Sequence, residues 1–115
     1  MSNNPSTIPR GNMSNAWAIA VAFSPISIAP NTAAEQTFAV SGLHLGDFVD
    51  VNKPTAQAGL IIGGSRVSAK DVLAVTFGNL TAATITPTAA ETYTIQINRP
   101  ETLNSSSVSN LGQPF

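Results

Sequence analysis

Few residues in this chain carry chemistry, and their spacing decides what they can do. His44 is the one histidine, in the connection GLHLGD. It offers a ligand or a pH-sensitive contact, but no second histidine joins it in a cluster, and between two leucines it reads as an ordinary loop residue. Asp47 and Asp50 form a nominal carboxylate pair. In a strand, residues three apart point to opposite faces, so the two are not expected to converge on a metal or to share acid–base work. Gly63-Gly64-Ser65-Arg66 sets a serine behind two glycines. It lacks the preceding Gly-x of a nucleophile elbow, a suitably separate histidine base, and the Lys-Ser/Thr of a phosphate-binding loop. It reads as a glycine bend or bulge between two strands. Glu35, Asp50, Asp71 and Glu91 are scattered near strand ends and turns, where solvated charges sit. The chain has no cysteine, which excludes disulfides and thiolate metal ligands. No catalytic residue, metal site or cofactor is expected, and the chain reads as non-enzymatic. Trp17 and Tyr93 have the chemistry to stack on a sugar. Both fall on the large-residue face of their strands and are assigned to the core.

The elements that position these residues repeat with period two from 16 to 98. WAIAVAF (17–23) alternates large apolar residues with alanine, so its second face is small rather than polar. A short extended piece, ISIA, follows at 26–29, and then EQTFAV (35–40) and DFVDVN (47–52). GLIIGG (59–64) leads through Ser65 into RVS. Ser68 to Asp71 reads as a four-residue hairpin loop, DVLAVTF (71–77) runs back, and Gly78-Asn79 reads as the next turn. Ala82–Thr86 is a candidate short strand. TYTIQIN (92–98) is the clearest strand, with Tyr93, Ile95 and Ile97 inward. A helix over 66–73, capped by Ser68 and Asp71, is set aside, because Val67, Val72, Val75 and Thr76 are β-branched. Short strands punctuated by Gly, Pro, Asn and Ser predict an all-β fold, a small antiparallel β-sandwich or barrel-like domain of jelly-roll or Ig-like type. The predicted core is Trp17, Ile19, Val21, Phe23, Phe38, Val40, Val49, Val51, Leu73, Val75, Phe77, Tyr93, Ile95 and Ile97.

The chain has 115 residues, which is one domain's worth. Residues 1–15 and 99–115 are rich in Ser, Asn and Pro and poor in large side chains. The first segment reads as either disordered or an arm laid on a partner, and the two segments are expected as extended N- and C-terminal arms around a β domain at 16–98. Only 10% of residues are charged and the net charge is −1. No Lys/Arg run exists, so neither nucleic acid nor a membrane surface is an expected partner. The N-terminus has no apolar run of the secretory type. A neutral, hydroxyl-rich surface with little charge to keep copies apart favours a chain partly covered by partners.

Residues 38–100 carry a resemblance. The elements are GL–x–x–GD–x–V–x–V–N–x–P at 42–54, RVSA at 66–69, V–x–F–x–N at 75–79, TP at 86–87 and ET–Y–x–I–x–I–x–R at 91–99. In this order the chain resembles small β-sheet domains among the virion proteins of tailed bacteriophages. The resemblance implies a capsid decoration (cement) protein or the shell-bound part of a head fibre, on the outer capsid surface. It also implies the major capsid protein as partner and, commonly, a homotrimer. On that reading Ala16, Ala18, Ala20, Ala22 and Phe48 are candidate subunit-interface residues. Ile8, Pro9, Arg10, Leu111 and Phe115 are candidate capsid contacts on the arms. The alternative is a host-recognition module, such as a fibre tip or carbohydrate-binding domain, or a tail or baseplate accessory. Phe48, Trp17 and His44 are the few residues such a site could draw on.

Overall fold

The computed structural model describes residues 13–100. The arm positions Ile8, Pro9, Arg10, Leu111 and Phe115 lie outside the described residues. Six strands form: β1 (Met13–Phe23), β2 (Thr32–Ala39), β3 (Phe48–Asn52), β4 (Leu60–Ala69), β5 (Val72–Asn79) and β6 (Glu91–Pro100). They make two three-stranded antiparallel sheets, β1-β6-β3 and β2-β5-β4. The chain crosses between sheets at every connection except the β4–β5 hairpin. No helix occurs among the described residues, and 66–73 is the tip of that hairpin.

Period-two patterning builds this arrangement directly. Large residues on one parity face the opposite sheet, and the short linkers carry the turn residues. The predicted core holds. Phe23, Val40, Leu73, Val75, Phe77, Tyr93, Ile95 and Ile97 are buried, and Trp17, Ile19, Val21, Phe38, Val49 and Val51 are half-buried against them. The division follows position in the sheet. The inward apolar residues of the central strands β5 and β6 are covered on both sides, whereas those of β1, β2 and β3 stand at open margins. Ile28, Leu43 and Val67 join the core from segments where no alternation marks them. Phe23 stacks on Phe38 with ring centroids 4.4 Å apart and meets the edge of Tyr93 at 5.2 Å.

Several boundaries differ from expectation. β1 starts at Met13 and β6 runs to Pro100, and these two residues are partners in the ladder, so the β domain is longer at both ends than 16–98. The hairpin loop is two residues, not four. Ala69 pairs with Val72, Asp71 takes a φ of 61° that aspartate tolerates well, and Ser68 falls at a register shift within β4. Gly78-Asn79 is not a turn. Both residues pair within β5, and the chain turns after them. At Gly78 a Cβ would lie 2.8 Å from Ile61 Cγ1, so a larger residue there would force the Ile61 side chain to shift. The expected bend at Gly63-Gly64 is a register shift between Ile62 and Gly64. ISIA and Ala82–Thr86 meet in a single bridge, Ile28 to Ile85.

The Tyr93 hydroxyl is buried and has no hydrogen-bond partner among the described residues. Burial, with the Glu91 carboxylate second, holds its pKa above the ordinary tyrosine value. Removing an unpaired polar atom from a core costs little and relieves desolvation. Tyr93→Phe is therefore expected to leave stability unchanged or raise it by about 1 kcal/mol, read from the urea midpoint. A clear loss would show that the hydroxyl has a partner.

Candidate functional site

The outer face of the first sheet is the surface the sequence pointed to. Ala16, Ala18, Ala20 and Ala22 project from β1, each paired across the ladder with Asn98, Gln96, Thr94 and Thr92 of β6 in turn. β3 extends three of those rows with Phe48, Asp50 and Asn52. All of these residues are exposed except Asn98, which is half-buried. Phe48 keeps 55% of its surface at the β3 margin. The face is therefore flat, with short side chains over β1, and Asp50 is its one charge.

The inner face is closed at both ends by ion pairs. Along β6 the inward parity reads Glu91, Tyr93, Ile95, Ile97, Arg99, and the inward parity through β3 reads Asp47, Val49, Val51, Lys53. At one end Arg99 grips Asp47 through two hydrogen bonds, Nε to Oδ1 at 2.9 Å and Nη2 to Oδ2 at 2.8 Å. The same Nη2 donates to the Gly42 carbonyl at 2.7 Å, and the guanidinium lies 5.0 Å from the Trp17 ring centre. The His44 backbone N–H donates to Asp47 Oδ2 at 2.9 Å. The Arg99 hydrogen bonds first, then the His44 N–H, hold the Asp47 carboxyl below its ordinary pKa against the opposing effect of burial. At the other end Lys53 Nζ lies 3.0 Å from Glu91 Oε1 and donates to the Thr55 carbonyl at 2.8 Å. The Thr55 hydroxyl bonds the second Glu91 oxygen. Thr55, with Lys53 behind it, lowers the Glu91 pKa.

The residues weighed for catalysis or ligand binding do not converge. Asp47 is buried in its ion pair, whereas Asp50 is exposed on the outer face. Trp17 points inward under Arg99 and Phe48 points outward. His44 is exposed beside a shallow hollow of about 300 Å³ shared with Leu45 and Lys70. A second shallow hollow, about 350 Å³, lies at the end of the second sheet against Ile61 and Leu80, with no charged lining residue. Among the described residues no group of His, Asp and Glu could hold a metal ion. Arg66 pairs with Glu35 at 2.8 Å on the exposed outer face of the second sheet, and Ser65 donates to the Val49 carbonyl at 2.9 Å. The serine and the arginine of the GGSR stretch are thus both bonded within the fold.

Asn79 is the polar residue that sequence reasoning missed. It is 1% exposed. Its amide nitrogen donates to the carbonyls of Ile28 (3.1 Å) and Ala83 (2.7 Å), and its Oδ1 accepts from the Thr81 N–H at 2.8 Å. The Thr81 hydroxyl sits 2.7 Å from the same oxygen. The signal was available in the parity of Leu73, Val75, Phe77 and Asn79, which puts the amide on the inner face.

No family model matches this chain, and neither does any curated protein or solved structure.

Proposed function

We propose that this chain is a structural virion protein that binds the outer surface of a tailed-phage capsid and stabilises it by added contact area. The bacteriophage shell as partner rests on the resemblance of residues 38–100. The observation that carries a contact role is the outer face of the first sheet, where four alanines stand exposed beside threonine, glutamine and asparagine with one carboxylate among them. Such a face buries against a partner without stranding charges and lets the two surfaces approach closely. The described residues bring no nucleophile, base and oxyanion donors together, and a cement function needs none. A protein that binds only the assembled shell stabilises it by mass action.

The test mixes purified protein with undecorated shells of the phage that encodes it. Saturable binding at a fixed ratio to the major capsid protein is expected, with a rise in the temperature at which shells come apart. Thr94→Arg, in the middle of the face, should weaken binding at least tenfold, since a charge would be left unpaired in the contact, about 1.4 kcal/mol or more. Shells that neither bind the protein nor gain heat resistance would overturn the proposal.

A further inference from the structure

Four strands stand at sheet edges, and three of them are guarded against pairing with another chain. β3 has five residues and carries Asp50, and its Val49 carbonyl is taken by Ser65 of β4. β4 carries Arg66 and two register shifts. β2 carries Glu35, and Gln36 binds the backbone of Ile26 twice, at 2.8 and 2.9 Å, which ties the segment after β1 to this strand. Charges, shortness, irregularity and cover are the usual means of blunting an edge. β1 is the least guarded. Its one irregularity is a register shift between Met13 and Asn15, at its start, and its eleven residues, MSNAWAIAVAF, include no charge and no proline. Among the described residues it pairs with β6 on one side and with no strand on the other. Trp17, Ile19 and Val21 on its inner face are left half-exposed at the open margin of the sandwich.

We propose that the free edge of β1 pairs with the β1 edge of a second copy, antiparallel, joining two first sheets into one six-stranded sheet. The pattern of the strand selects this occupant. In a two-fold antiparallel pair each residue meets one of the same parity, so large side chains meet large on the inner side and alanines meet alanines on the outer side. The half-exposed Trp17, Ile19 and Val21 of each copy then cover one another. A strand that meets itself brings any charge against its own image, and β1 is the one edge strand of the four without a charge. This pairing does not depend on the capsid reading. It makes a dimer about a two-fold axis, where the phage resemblance leads to a trimer.

Analytical ultracentrifugation of the full chain, with four variants, decides between them. The wild-type chain should sediment as a concentration-dependent dimer. Ala20→Arg, exposed on the domain's surface, should keep the β spectrum and weaken the dimer at least tenfold, because two cations are set close together across the axis. Thr94→Arg, on the same face but on the central strand β6, should leave the dimer intact. In this cysteine-free chain Ala20→Cys, which meets its own image when the axis passes at Ala20, should oxidise to a disulfide-linked dimer, and Thr37→Cys on β2 should not. The Ala20→Cys cross-link keeps the test decisive if Ala20→Arg fails to fold. A wild-type chain monomeric at high concentration, a trimer whose Ala20→Cys thiols do not cross-link, or a dimer lost equally in Thr94→Arg would each overturn the proposal.

Discussion

Asp47→Ala is expected to destabilise the domain by about 3 kcal/mol, measured as the shift in urea midpoint at neutral pH. The carboxylate is the deeper partner of its pair, its side chain 1% exposed against 22% for Arg99. Alanine leaves the His44 N–H and two guanidinium donors without their acceptor. Loss of one member of a fully buried pair costs about 3–5 kcal/mol. Arg99 retains some contact with water and its bond to the Gly42 carbonyl, which keeps the cost at the low end. The pair also holds the exit of β6 against the loop that leads into β3, so its loss should loosen Met13 to Trp17 on the neighbouring strand.

The same variant should change the response to acid. Asp47 has a folded pKa below its ordinary value, chiefly through Arg99. The charged form is therefore favoured by folding, and the folded state binds fewer protons than the unfolded one. That stabilisation is complete above the unfolded value of about 4 and is lost as pH falls through the folded value. Glu91 and Glu35, also lowered by their partners, add to the same acid limb. The gap between wild type and Asp47→Ala should accordingly narrow as pH falls below about 4. A gap that stays constant as acid is added would show that the lost stability is packing rather than the ion pair.

These residues show what was legible in the chain. The apolar rows were readable because alternation is local: Tyr93, Ile95 and Ile97 declare their face within five residues. The ion pairs were not read, because Asp47 and Arg99 are far apart in sequence. Asp47 was weighed against its neighbour Asp50, and Arg99 was assigned to a tail. Parity nevertheless held the clue. Arg99 continues the inward row of β6 and Asp47 begins the inward row of β3, so two opposite charges sat on buried faces of adjacent strands and needed each other. Lys53 and Glu91 close the other end by the same logic. The elements that carry the phage resemblance are mostly these fold-making residues: Leu43 in the core, Gly42 and Gly46 at φ of 95° and 94°, Asp47, Asn79 and Arg99. They specify the body of the domain. The alanine face was legible as an anomaly of composition, but no spacing in the sequence says what lies against it. A contact surface made of short, uncharged side chains has no motif.

Asn79→Ala should cost about 3–4 kcal/mol, a large part of the 5–15 kcal/mol that holds a typical domain folded. The amide is the junction of three segments. It bonds the Ile28 carbonyl from the β1–β2 link, the Ala83 carbonyl from the β5–β6 link, and the Thr81 N–H that starts the turn out of β5. Beside it lies the Ile28–Ile85 bridge, whose two backbone bonds at 2.8 and 3.1 Å tie the same two links together. Alanine removes two donors and an acceptor from a site that water does not reach, so each orphaned group pays its own desolvation. Asn79→Leu fills the volume and restores none of the bonds, and should be no better. Asn79→Asp keeps the acceptor but loses both donors and buries a charge facing two carbonyls, and should be worse than alanine at neutral pH. Amide exchange gives a second reading. The N–H groups of Ile28 and Ile85 should lose protection in Asn79→Ala more than those of Ile95 and Ile97, whose ladder lies in the other sheet. A loss below about 1 kcal/mol in Asn79→Ala, with Ile28 and Ile85 still protected, would show that the bridge and the apolar contacts hold the two links without the amide.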